Sequence, residues 1–542
     1  MNPTENHLHY YYQSYNRVQM SSASVANRQI ARAAGMVMAA FVISNLVGLL
    51  RQMLVANAFG TQAGMEAFNA ANRVSETLFN LVAGGALSSA FIPVFTGFLT
   101  RKDSPGAWRL ASSIANLVLL VLIVLCLIAA IFAPWIVRNI LAPGFASDPP
   151  KEALTIDLMR LMLPAAILFG LSGLVIAILN SHQVFFIPAL MPAMYQLGMI
   201  FGVLFLSPSM GIYGLGWGVL IGSALYLGLQ IPSLLRLHGK YFPKLGLGNP
   251  AVHEVVLLML PRLLGVAVVQ LNFWVNTWLA SSMVEGSVTG IVFAFALMLM
   301  PQAAIAQSIA IAAMPTFSAQ VALGKLGEMR NSLAASLRGV LLLSIPATVG
   351  LILLRYPLIE MLYQRGQFDA RSTQLVAWGL LWFVVGLVSH SVVEIMSRAF
   401  YALHDTRTPV LVGIGAMSLN VVFSFAFSAL FIQWNWLALG GLALANSLAT
   451  TLEMVGLLVL MRRKLNGIQG RWITKGLLQA AAATIIMGAG IWIWLRFSVS
   501  FSAWVVTLGG VAIGLLLFGL AAILFRVEEV QRVIQAIQHR IS

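Results

Sequence analysis

The chain has 542 residues, 59% hydrophobic and only 9% charged, with a mean hydropathy of +0.88. About a quarter of a soluble domain is charged, so a water-soluble multidomain enzyme is excluded. The excess of 32 Lys+Arg over 17 Asp+Glu, a net charge of +15, marks the cytoplasmic face of a membrane protein rather than a nucleic-acid-binding domain.

Residues 1–30 are polar, rich in Tyr and Ser, and lack the apolar run of a cleavable signal; they read as a disordered cytoplasmic tail. A bilayer core takes about 20 apolar helical residues. That window predicts spans near 33–57, 66–98, 108–136, 154–180, 186–207, 211–236 and 252–282, then 287–321, 332–355, 372–402, 408–431, 436–462, 472–496 and 501–526. The runs are continuous rather than alternating at period two, which predicts helices and not a barrel. Beyond them Val527, Val530, Ile534, Ile537 and Ile541 recur at helical spacing, an amphipathic cytoplasmic tail over 527–542. An even number of spans puts both termini on one side. That side collects 22 of the Lys and Arg, the other 7, and three stand in mid-span, so both termini are expected in the cytoplasm. The largest loop, around 137–153, is too short for a soluble domain.

A repeat runs through the chain. Ala90 to Phe95 reappears as Ala312 to Phe317, Pro188 pairs with Pro409, Leu141 to Phe145 has a counterpart in Leu362 to Phe368, and Gly48 matches Gly265 more loosely. The common offset of about 220 residues is six spans. An even number of spans gives both halves the same orientation, about an axis along the membrane normal, with a site between them. The expected fold is an all-α integral membrane protein of about 14 helices. It divides into a disordered tail, an N-terminal six-helix lobe over 31–245, a C-terminal six-helix lobe over 246–465, two extra helices over 466–526, and the tail from 527.

Ionisable groups in hydrocarbon are costly and mark candidate sites. Glu66, Asn69, Arg73, Thr77 and Asn80 share one face of the second span. Asn45, Gly48 and Gln52 form a stripe on the first, flanked by Arg51. The seventh carries Arg262, Gln270, Asn272 and Asn276, and the eighth Gln302, Gln307 and Ser308. Arg73 with Glu76, and Glu394 with Arg398, have the spacing of helical ion pairs; Glu453 is a candidate proton or cation site, and His390 reads as a packed helix residue. Arginine suits a phosphate or diphosphate, because its planar fork binds such oxygens bidentately and keeps its charge. No phosphate-binding glycine loop, H-E-x-x-H motif or nucleophile–base grouping occurs, and the single Cys126 excludes disulfides and Cys-based metal sites. The reading is a transporter rather than an enzyme, with no metal or cofactor. Coupling to the membrane potential or to an ion stays open.

Several segments resemble the MurJ lipid II flippase family of the MOP exporter superfamily. They are Ser44 to Gln52, Ala58-Phe59-Gly60, Glu66-Ala67-Phe68, Gly85-Ala86 with Ala90 to Phe95, Ala142 to Phe145, Leu260-Pro261-Arg262, Tyr363 to Asp369, and most specifically Arg398 to Pro409. The resemblance implies two lobes around a cationic cavity, two helices forming a groove for a lipid tail, and inward- and outward-facing states. The implied cargo is the undecaprenyl-diphosphate-linked peptidoglycan precursor. On that reading Arg51, Arg73 and Arg262 hold the diphosphate, Glu66 pairs an arginine or gates, and Asn45, Gln52, Asn80, Gln270 and Asn272 line the path. Gly48, Glu394, Arg398, Asp405, Arg407 and Pro409 are structural or gating positions. The chain departs from the family at Asn45, Asn80 and Phe293 to Ala296, where three cationic positions are neutral. Export of another lipid-linked sugar or amphiphile, or a non-transporting scaffold of envelope assembly, remain the alternatives. Expected partners are the lipid-linked glycan, anionic membrane lipids and cell-wall synthesis proteins, without nucleic acid. The expected location is the bacterial plasma membrane.

Overall fold

A computed structural model describes residues 40, 42–82, 86–531, 535 and 538; the expected disordered tail, Ile534, Ile537, Ile541 and the Gly84-Gly85 stretch lie outside the described residues. The described residues are helical with short turns, as expected. In chain order the long helices are α1 (Val42–Phe59), α2 (Ala63–Val82), α3 (Ala86–Thr100), α4 (Ser104–Ile131), α5 (Pro149–Ser181), α6 (Phe186–Met210), α7 (Ile212–Leu235) and α8 (Pro250–Ser281). The second half follows with α9 (Ser287–Ala322), α10 (Leu326–Tyr363), α11 (Ala370–Val385), α12 (Leu387–Ala402), α13 (Arg407–Gln433), α14 (Leu439–Lys464), α15 (Gly470–Phe497) and α16 (Ala503–Leu524).

Among the described residues, eleven helices are long and apolar enough to cross a membrane, or thirteen if each of two bent pairs is one span. One bend, 40° within α8, follows Pro261, which has no N–H and crowds the preceding turn. The other, 47° at Gly386 between α11 and α12, falls in the tenth expected span. The remaining expected span, 66–98, is α2 and α3. The polar stripe on α2 lowers its hydropathy, which is why it does not read as an ordinary span.

The chain divides into two compact units. Of the described residues, one holds those up to Leu54, those of 78–128 and Leu161–Arg262; the other holds Val55–Thr77, Ala129–Arg160 and those from Leu263. In the first, Phe91, Phe95, Leu110, Ile114 and Leu174 form the core. There α6 and α7 meet through glycines: a Cβ on Gly198 would stand 2.2 Å from Gly222, and one on Gly202 2.5 Å from the Gly214 carbonyl. Such small-residue seams let helices approach closely where lipid offers no hydrophobic drive. In the second unit Phe317, Leu333, Leu337, Val392, Ile395 and Phe400 form the largest core cluster. Phe95 and Phe317, equivalent positions of the repeat, are each fully buried in their own unit.

α15 and α16 join the second unit along α10. Arg338 on α10 is 2% exposed, its guanidinium 4.1 Å over the Trp472 ring, 2.6 Å from Glu529 and 3.7 Å from Glu528. The opening turn of the C-terminal segment is thereby tied to α10. Asp405, in the turn before α13, accepts from the Thr408 N–H at 3.0 Å, the Thr408 hydroxyl at 2.8 Å and Lys464 at 2.6 Å. Burial alone would raise its pKa, but the Lys464 ammonium and both Thr408 donors hold it down at about 2. Arg407 is exposed and Pro409 buried beside it, so this turn is a helix start fixed by Asp405.

Candidate functional site

The polar face of α2 is built into the second unit, from Ala63 to Thr77. Glu66, 1% exposed, sits at its head and takes the ammonium of Lys151, from the first turn of α5, in a buried ion pair. Its other carboxylate oxygen accepts the Val288 N–H at 2.9 Å. That N–H is one of the donors a helix start leaves without an intrahelical partner, so a carboxylate there both caps α9 and meets its positive end. Lys151 also stacks 4.1 Å over Phe145, and its neighbour Glu152 pairs with Arg138 at 2.9 Å.

One helical step along the same face, Asn69 donates to Thr289 at 3.0 Å. Arg73 pairs with Glu76 at 2.9 Å and lies 4.9 Å over the Phe273 ring, and Asn72 donates to the same Glu76 at 2.7 Å. The expected i,i+3 pair is therefore present. Thr77 donates to Gln270 at 3.3 Å and accepts from the Trp274 indole at 2.7 Å. Behind Gln270, Asn272 donates to the Met417 carbonyl at 3.5 Å and accepts from Asn276 at 3.3 Å. Gln270 thus joins the α2 face, whereas Asn272 is turned to α13 and does not.

The contacts between α2 and α9 have a regular register. Ala63 N donates to Glu285 at 3.0 Å, Val288 N to Glu66, and Asn69 to Thr289. Each pair is separated by the offset of the sequence repeat, so equivalent positions of the two halves meet. In a two-fold arrangement only residues next to the axis meet their own counterparts. Contacts of this kind between α2 and α9 are what the sequence repeat leads one to expect if the two helices are its counterparts.

Arg51, Gly48, Gln52, Asn45, Asn80 and Arg262 belong to the first unit. The Arg51 guanidinium reaches the Met199 sulfur at 3.4 Å, and Gly48 faces the Gln196 amide with a Cβ position 3.5 Å away. Gln52 is buried, Asn80 half-buried, and Asn45 and Arg262 exposed. Glu394 and Arg398 pair at 2.9 Å, as expected. His390 is packed, its Nε2 3.0 Å from the Asn446 side-chain oxygen. Glu453 lies half-buried with Oε1 against Gly413. Among the described residues no cluster of His, Cys, Asp and Glu could hold a metal ion.

Sequence reasoning missed Lys151. It stands on a helix remote in sequence from α2, and the expectation for Glu66 is an arginine partner or a gating role. The only signal was a lysine in the first turn of a spanning helix, among Glu152, Asp157 and Arg160, where a cation drawn toward hydrocarbon is costly unless paired.

The family model described as "Lipid II flippase MurJ" matches residues 55–526. The "Lipid II flippase MurJ" of Burkholderia cenocepacia is 28% identical over 467 residues, 84% of this chain and 88% of its own. The "Probable lipid II flippase MurJ" of Rhizobium tropici is 30% identical over 432 residues, 78% and 79% of the two chains. Among solved structures, "Lipid II flippase MurJ, inward closed conformation" matches with a TM-score of 0.77 at 24% identity, covering 90% of this chain and 98% of that one. A multidrug resistance MATE family transporter of the MOP superfamily, in an inward-facing conformation, matches with a TM-score of 0.66 at 15% identity, covering 79% and 96%. At these identities the two structures speak for the fold.

Proposed function

We infer transport from one premise: this chain belongs to the MurJ family of lipid II flippases. It is a multi-pass protein of the bacterial inner membrane that carries lipid II, the undecaprenyl-diphosphate-linked precursor of peptidoglycan, from the cytoplasmic to the outer leaflet. The six-helix lobes over 31–245 and 246–465 rock about the pseudo-two-fold axis, alternating access to a site between them. The termini face the cytoplasm, and Glu66, Lys151 and the start of α9 close the outer end.

The observation that carries this reading is Glu66 itself. A carboxylate 1% exposed, neutralised by a lysine and capping the start of α9 from the other sequence repeat, is a contact that can hold two halves together and be broken as a unit. A diphosphate crossing the hydrocarbon needs its charge matched. Arg51, Arg73 and Arg262 supply the cations, with Asn45, Gln52, Asn80, Gln270 and Asn272 as neutral donors along the path. Arg73 leaves Glu76 for the diphosphate when cargo enters. The membrane potential acting on these cations, or an ion at Glu453, couples the cycle to energy. Anionic lipids are partners at the start of α15, where Arg471, Thr474, Lys475, Leu478 and Gln479 line a groove of about 460 Å³. Cell-wall synthesis proteins receive the precursor outside.

The test is translocation of fluorescent lipid II in proteoliposomes, beside an unrelated lipid-linked oligosaccharide. Movement of lipid II alone is expected. Equal movement of both would replace the cargo by a broader class of lipid-linked sugars, which the neutral Asn45 and Asn80 would then explain. Movement of neither would leave a scaffold.

A further inference from the structure

We propose that the expected outer end is closed by a two-fold-symmetric latch, in which a glycine from each repeat docks on the last turn of the other repeat's first helix. Both docks part in every transport cycle, an inference that rests on the transport reading above.

Gly144 stands in the turn before α5. Its N–H donates to the Ser281 hydroxyl at 3.1 Å, and a Cβ there would lie 2.2 Å from the Ser281 carbonyl oxygen, at the end of α8. Gly366 is its counterpart one repeat on, in the turn before α11. It has φ +55°, and a Cβ would lie 2.4 Å from the Asn57 carbonyl oxygen, in the last turn of α1. Next to it the Gln367 N–H donates to that same carbonyl at 2.9 Å, and the Gln62 amide donates to the Gln367 side chain at 2.8 Å. Two glycine loops, one repeat apart, thus meet the ends of two helices that are themselves one repeat apart. Only a residue without Cβ lets backbone meet backbone this closely.

The supports are duplicated too. Asp148 accepts from the Lys151 N–H at 3.3 Å at the start of α5. One repeat on, Asp369 accepts from the Ser372 N–H at 2.7 Å at the start of α11. Each cap presents the residue it holds to the opposite element: Lys151 to Glu66, and the Ser372 hydroxyl to that of Thr61 at 2.8 Å. One dock therefore carries a buried ion pair and the other two neutral hydroxyls.

The experiment uses full-length protein in proteoliposomes, with Ser287→Cys as reporter beneath the latch. Ser287 is 0% exposed, and buried Cys126 sets the background. A membrane-impermeant maleimide is added from outside. Gly144→Ala and Gly366→Ala should each raise the labelling rate at least about tenfold, as a factor in the closed–open equilibrium. Gly350→Ala, where a Cβ meets open space, should leave it unchanged. Parent-like labelling in both variants would overturn the latch. Should the glycine variants fail to reach the membrane, Gln62→Cys with Gln367→Cys decides. The oxidised crosslink should stop translocation and reduction restore it, whereas full crosslinking with undiminished translocation would overturn the proposal. Labelling needs no cargo, so faster labelling without any lipid II movement would sink the flippase reading and leave the latch standing.

Discussion

Replacing Lys151 by methionine removes the charge from the Glu66 pair while keeping most of its volume and a sulfur to pack on Phe145. The side chains are 9% and 2% exposed, so the pair is buried. Removing one partner of a buried pair costs about 3–5 kcal/mol, because the remaining charge is stranded. Glu66 keeps the Val288 N–H, which places the cost toward the lower end, about 3 kcal/mol. At 1.4 kcal/mol per decade this is roughly a hundredfold shift toward a state that wets Glu66. If that state is the parted outer end, Lys151→Met should label at Ser287→Cys from outside up to about a hundredfold faster than the parent. Adding Glu66→Gln should bring most of that back, since a neutral pair leaves no stranded charge, and the double-mutant cycle should return a coupling of at least about 1.5 kcal/mol. Parent-like labelling in the single variant, or a double variant labelling as fast as Lys151→Met, would refute the argument that this charge pair holds the end shut.

Arg51→Ala should lower lipid II translocation at least about tenfold at equal membrane levels, since a charge-assisted contact to phosphate is worth about 1.5–3 kcal/mol; Arg51→Lys should recover only part, and Arg496→Ala should be neutral. Wild-type rates for Arg51→Ala would exclude a diphosphate held there. Gly476→Ala should destabilise the protein by about 1–3 kcal/mol in thermal unfolding, because the new Cβ would stand 2.8 Å from the Arg338 Nε, which Trp472 and Glu529 hold in place. Gly519→Ala, with open space around it, serves as the control and should not lower stability. The Asp405 carboxyl is depressed from 3.8 to about 2, so its contribution is full above about pH 4 and is lost as pH falls toward 2. Asp405→Asn should therefore melt lower than the parent at pH 6, by about 1–2 kcal/mol, with the difference closing in acid; a gap that stays constant from pH 6 to pH 3 would point to lost packing instead.

Much of the fold was legible because hydropathy is a local property. A helix in lipid satisfies its own backbone, so each apolar run declares itself without reference to the rest of the chain. The repeat was legible because Phe95 and Phe317, or Pro188 and Pro409, keep their residue types at one offset. The Arg73–Glu76 and Glu394–Arg398 pairs could be read because partners three or four residues apart share a helix face whatever surrounds them.

Other features belonged to the tertiary structure alone. Arg338 counted as one more cytoplasmic charge, yet it is 2% exposed, because its carboxylates come from the far C-terminal segment and α15 closes over it. The pairing of Lys151 with Glu66, the meeting of α2 with α9 at equivalent positions, and the docking of Gly144 and Gly366 all join residues far apart in sequence. A glycine in a loop reads only as freedom to turn. That its missing Cβ is filled by another helix's carbonyl depends on which helix end arrives there, and long-range packing decides that.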